Sequence, residues 1–173
     1  MKRTTLNKYA IILSCTLLLG GCSQAAPAES ASAGTTTVQM ENPSKEAKSI
    51  ADIYDEIAAN VTLSSPVAMD DDFISNYYGI DASTLEEYVF SMSEDATSAE
   101  TIIIMKAKDA SNISSLSDCL QVVVDEKKNE MENYLPEQFA IVEKSSVKTK
   151  DNYVWLVISE NADDINKIIE ADL

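Results

Sequence analysis

The run Val154-Trp155-Leu156-Val157-Ile158 has no polar side. A half-exposed strand alternates apolar with polar residues, and an amphipathic helix spaces its apolar residues three and four apart; this run does neither. Apolar on both faces, it is placed centrally in a sheet. A second run, Ile102-Ile103-Ile104-Met105, reads as a buried stretch within a strand from Thr101 to Lys108.

The rest of the chain arranges itself around these strands. A first helix is expected from Ser44 to Asn60, with Ala47, Ile50, Ile53, Tyr54, Ile57 and Val61 on one stripe. Val61 to Met69, containing Pro66, reads as a connection. Asp70, Asp71 and Asp72 open a short second helix, where carboxylates cap free amides and suit the positive end of the dipole. Gly79 is its left-handed stop.

Leu85 to Met92 and Thr101 to Lys108 form strands around the polar loop Ser93–Glu100. A long helix follows from Asn112 to Tyr134, ended by Pro136. Phe139 to Lys148 and Tyr153 to Ser159 form a second strand pair around the turn Thr149–Asn152. Asn161 caps a last helix carrying Ile165, Ile168 and Ile169 inward. The expected fold is α+β: an antiparallel four-stranded sheet packed with helices, in the order α-α-β-β-α-β-β-α.

The N-terminus carries a different signal. Lys2, Arg3 and Lys8 precede a mostly apolar stretch from Tyr9 to Leu19. About eleven residues at ~1.5 Å rise fall short of a ~30 Å hydrocarbon layer, so the stretch reads as a signal peptide. It ends in Leu19-Gly20-Gly21-Cys22, which resembles the bacterial lipobox: an aliphatic residue, two small residues, then cysteine. In proteins with that motif the cysteine thiol receives a diacylglycerol and becomes the mature N-terminus. Two or more acyl chains anchor stably, at ~0.8 kcal/mol per buried methylene. The expected organisation is a signal peptide over residues 1–21, a flexible polar tether over 22–44 from lipidated Cys22, and one α+β domain over 45–173. The tether is rich in Ala, Ser, Thr and Glu, and its average reach is roughly 25 Å.

Charge narrows the partners. From Cys22 onward the chain keeps 29 acids and 10 lysines, since Lys2, Arg3 and Lys8 leave with the signal: 10 − 29 = −19. Nucleic acid and anionic headgroups are disfavoured partners for such a surface, and cations or basic partners are favoured. Histidine is absent, which removes Ser-His-Asp and Cys-His catalysis and histidine metal ligation. With Cys15 cleaved and Cys22 acylated, Cys119 is the only thiol left, so the fold must rest on its core.

Three local strings, Tyr77-Tyr78-Gly79-Ile80-Asp81, Glu87-Tyr88-Val89 and Asn152-Tyr153-Val154, together with the lipobox and tether, resemble an uncharacterised family of bacterial lipoproteins carrying the domain of unknown function 4358. The resemblance covers roughly Ile50 to Leu173. It implies a small exported α+β lipoprotein and brings no catalytic residues.

Several stretches invite a sharper chemistry. Asp70-Asp71-Asp72 could ligate calcium, but the D-x-[DN]-x-[DN]-G spacing is missing and helix capping accounts for them. Glu86, Glu87, Glu94, Asp95 and Glu100 crowd the first hairpin; a glycosidase would need two of them paired at a set separation. Cys119 reads as a small hydrophobe on the long helix. Tyr77, Tyr78 and Asp81 form the candidate binding surface, because two adjacent tyrosines cannot both point into one core.

The expected function is that of a non-catalytic interaction domain of the cell envelope. It would be lipid-anchored through Cys22 to a bacterial membrane, face the extracytoplasmic side, use no cofactor or metal, and bind an envelope protein rather than nucleic acid. An extracytoplasmic carrier of a small molecule or cation is the alternative.

Overall fold

The structure, a computed structural model, describes residues 48–173. Cys22, the expected tether and the expected helix start at Ser44 lie outside the described residues. The elements are α1 (Ile50–Asn60), β1 (Pro66–Ala68), α2 (Asp71–Tyr78), β2 (Leu85–Ser93), β3 (Thr101–Ala107), α3 (Ile113–Met131), α4 (Pro136–Lys144), β4 (Lys148–Lys150), β5 (Tyr153–Ile158) and α5 (Ala162–Asp172). The five strands make one antiparallel sheet in the order β1-β2-β3-β5-β4.

The α+β class and the antiparallel sheet stand, but the four-stranded count and the expected element order do not. The order is α-β-α-β-β-α-α-β-β-α. Two segments cause the difference. Pro66–Ala68, read as connection, pairs with Met92 through Val67 at the sheet edge. Its three residues are all exposed, so no burial pattern marks it. Phe139 to Lys148, read as a strand, is mostly α4. Pro136 starts this helix rather than merely ending the one before it, because the first helical position needs no amide hydrogen. A run such as Phe139-Ala140-Ile141-Val142 fits a strand or a buried helix equally well by pattern. The fourth strand is only Lys148–Lys150, and Asp151, at φ +51°, makes the tight turn with Asn152.

β3 and β5 lie at the centre, with Ile103 opposite Leu156 and Ile104 opposite Trp155. Alternate residues feed opposite faces. Phe90, Ile103, Met105, Val154, Leu156 and Ile158 pack beneath Ile74 of α2, Leu116 to Met131 of α3 and Val142 of α4. Ile102, Ile104, Tyr153, Trp155 and Val157 pack beneath Ile50, Ile53 and Ile57 of α1 and Ile165 and Ile169 of α5. The Trp155 indole N–H needs a partner in that core, and donates to Asn166 Oδ1 at 2.9 Å.

The helix ends are tied down by polar side chains. Ser49 Oγ accepts the Asp52 N–H at 3.1 Å, and Glu87 on β2 accepts the Ile50 N–H at 2.8 Å, so the start of α1 is fixed to the sheet. The Lys48 ammonium bridges Glu56 and the buried Asp172 carboxylate, while its backbone N–H donates to Asp172 O at 3.3 Å. Asn161 occupies the capping position of α5, yet its side chain makes no cap bond there. Both sheet edges resist further pairing: β1 opens with Pro66, and β4 presents Lys148, bonded to Glu170 at 2.8 Å, and Lys150.

Ile104 is fully buried in the α1/α5 layer. Ile104→Ala should lower the unfolding free energy by about 2–5 kcal/mol, seen as a lower urea midpoint at unchanged slope. A midpoint equal to the parent's would place Ile104 outside the core.

Candidate functional site

α2 carries the candidate surface. Asp70 Oδ1 accepts the Phe73 N–H at 2.9 Å, and Asp71 and Asp72 occupy the first turn, as the sequence led one to expect. At the other end Gly79, at φ +66°, turns the chain so that the Ile80 N–H reaches Ile74 O at 3.1 Å. Between these stops, four rings assemble. Phe73 stacks with Tyr77 at 4.6 Å between centroids and meets Phe90 edge-on at 6.2 Å. Tyr78 stacks on Phe90 at 5.4 Å.

The two adjacent tyrosines therefore separate. Tyr78 is part-buried over the core, whereas Tyr77 is 70% exposed. Burial, and then the Glu126 carboxylate beside it, keep the Tyr78 hydroxyl well above the usual tyrosine range. Tyr88 on β2 donates its hydroxyl to Asp71; burial first, and this carboxylate second, push it up to about 12.

Asp81 does different work. Its Oδ1 accepts the Ser83 N–H at 2.9 Å at the head of a short 3-10 turn, Ala82–Thr84. Hydrogen bonding by the Ser83 side chain first and by its N–H second, with Lys108 adding a smaller charge effect, holds its carboxyl below the usual range. Phe73, Glu126 and Glu130 are surface builders that the sequence reading missed. The four-residue spacing of Phe73 and Tyr77 was visible, but the approach of Glu126 and Glu130 on α3 depends on helix packing.

Four of the five acids of the first hairpin, Glu86, Glu87, Asp95 and Glu100, are engaged separately. Glu86 binds Lys106 at 2.8 Å, Glu87 caps α1, and Asp95 accepts the Thr97 N–H at 2.8 Å. Glu100 takes the Ser64 N–H at 2.6 Å and the Ser159 hydroxyl at 2.9 Å. Among the described residues no group of three or more Asp, Glu, His or Cys could hold a metal ion. Burial, with Asp118 second, pushes the Cys119 thiol up, which suits packing rather than nucleophilic chemistry.

Open clefts lie near the Glu100 end of the sheet. One of about 520 Å³ is lined by Glu56, Asn60, Thr62, Asp164 and Lys167. Another, of about 340 Å³, is lined by Ser64, Asp95, Glu100, Gln138 and Glu160. Tyr77 and Tyr78 line neither. Among the described residues no helix is long and apolar enough to cross a membrane.

A family described as Domain of unknown function (DUF4358) matches residues 59–159, a shorter span than the Ile50–Leu173 resemblance suggested. No curated protein and no solved structure matches the chain.

Bonds from the side chain and then the N–H of Ser83 to Asp81, from the side chain and then the N–H of Thr97 to Asp95, and from the N–H and then the side chain of Ser111 to Asp109 hold these carboxyls below the ordinary value. Their folded pKa is depressed, so their stabilisation is present in full above the ordinary value of about 3.9 and is lost as pH falls through the folded values. The urea midpoint should fall between pH 5 and pH 2, a fall that Asp81→Asn should make shallower. An unchanged acid limb in that variant would mean that Asp81 contributes nothing.

Proposed function

We propose that this chain, which belongs to the DUF4358 family, is a bacterial lipoprotein whose folded domain is a non-catalytic binding module on the extracytoplasmic side of the membrane. The observation that carries the binding reading is Tyr77. A large ring at 70% exposure, held flat on Phe73 and backed by Phe90, gives apolar contact area and a hydroxyl at little entropic cost. The anchoring reading rests on Leu19-Gly20-Gly21-Cys22 behind an apolar run too short to remain as a span.

The absence of histidine and the separate engagement of Glu86, Glu87, Asp95 and Glu100 favour binding over catalysis. The carrier reading retains one supporting feature, the cleft of about 340 Å³ around Glu100. Its polar lining and open form suit a solvated ligand held loosely.

Two measurements test the proposal. The intact mass of protein from membranes should equal Cys22–Leu173 plus acyl chains, and Cys22→Ala should abolish that species; an unmodified soluble product would refute anchoring. In a gentle detergent extract, a crosslinker should give a defined adduct that Tyr77→Ala reduces by about fivefold or more. An adduct of equal yield in the variant would move the binding surface away from α2.

A further inference from the structure

We infer that the α2 surface recognises a cationic protein segment, with an arginine guanidinium stacked on Tyr77; this rests on the binding reading above and names the chemistry of its partner. Three observations support the inference. The first is the exposed face of Tyr77, since an aromatic ring presents negative charge density to a cation over its face. A planar guanidinium stacks on such a ring better than a compact ammonium does.

The second is the rim. Asp70, Asp71 and Asp72 stand at the start of α2, and Glu126 and Glu130 stand beside Tyr78. Lys127 is bonded to Glu130 at 2.8 Å. Among the described residues, none of the ion pairs involves Asp70, Asp71, Asp72 or Glu126, although Lys48, Lys106, Lys148 and Lys167 each pair with an acid elsewhere. Among the described residues, Asp70, Asp71, Asp72 and Glu126 therefore stand at this surface without a lysine paired to them, and Glu130 alone of the rim has one.

The third is the cost of the alternatives. An apolar partner covering Tyr77 would take water from these carboxylates and return no charge to them. An acidic partner would be repelled, on a chain that carries −19 from Cys22 onward. A basic segment gains on both counts: its side chain covers the ring, and its charge meets the rim.

The test uses the full chain from membranes in detergent and a fluorescent peptide with arginines spaced by Gly and Ser. Probes of identical length carry lysine, neutral citrulline or glutamate instead. The arginine peptide should bind best, and the citrulline peptide, equal in shape but uncharged, about tenfold more weakly. Tyr77→Ala should weaken arginine-peptide binding by about fivefold to tenfold, and Tyr77→Phe should leave it within about twofold. Glu126→Gln should weaken it, whereas Glu143→Gln, an equal charge change on α4, should not.

Equal binding by parent and Tyr77→Ala, or equal loss in Glu126→Gln and Glu143→Gln, would overturn the inference in favour of diffuse attraction. Tyr77-dependent capture of phosphatidylcholine vesicles without arginine-peptide binding would overturn it in favour of a lipid headgroup. If the crosslinked adduct depends on Tyr77 but the arginine peptide ignores it, the cationic partner fails while the binding surface stands. If the adduct and the peptide are both indifferent to Tyr77, both fail.

Discussion

The ladder between β3 and β5 is the contact on which the remaining structure depends. Ile103 opposite Leu156 and Ile104 opposite Trp155 send their side chains to opposite faces, so one strand pair supplies both cores. A register slip of one residue would exchange the two sets and put Trp155, with its indole donor, under α3 rather than beside Asn166. With both faces apolar, neither can stay wet. The helices must divide between them: α1 and α5 on one side, α2, α3 and α4 on the other.

That division leaves backbone amides at helix and turn starts that some of the acids serve. Ionised carboxylates are the side chains that accept strongly while charged, and this chain has 29 of them. Carboxylates fill the positions where the topology leaves amides unbonded. Asp70 serves the start of α2, and Asp81 and Asp109 serve two 3-10 turns. Glu87 reaches 37 residues back to Ile50, and Glu100 ties Ser64 to Ser159 across the end of the sheet. These acids are fold elements.

What the sequence made legible follows physical range. Burial of both central strands, the Asp70 cap, the Gly79 stop and the inward face of α5 are local patterns, readable from spacing and residue type. β1 was not readable, because three exposed residues at an edge carry no periodicity and are specified by pairing with Ser91–Ser93. α4 was misread because Pro136 can end one helix or begin the next, and only packing of Val142 under the sheet decides. At the candidate surface, Tyr77 and Tyr78 do diverge, as adjacency required. Asp81 does not join them in a shared hydrogen-bond set, since its oxygen is committed to the Ser83 amide. Asp70, Asp71 and Asp72 were local, but the approach of Glu126 and Glu130 to Tyr78 arises from α3 packing near α2, a long-range fact with no local trace.

For the proposed binding role, the same packing holds Tyr77 ready as a contact. Eight residues of isolated helix are unstable in water, and α2 persists because Ile74 is fully buried, while Phe73 and Tyr78 lie against Phe90. Capping at Asp70 and the turn at Gly79 remove the freedom of its two ends. A side chain with two torsions, already stacked on Phe73, has little rotamer entropy left to lose when a partner covers it. Under the proposed binding role, the core therefore contributes to recognition at a distance. Each ring beneath Tyr77 stabilises the fold and also reduces the ordering cost at the surface.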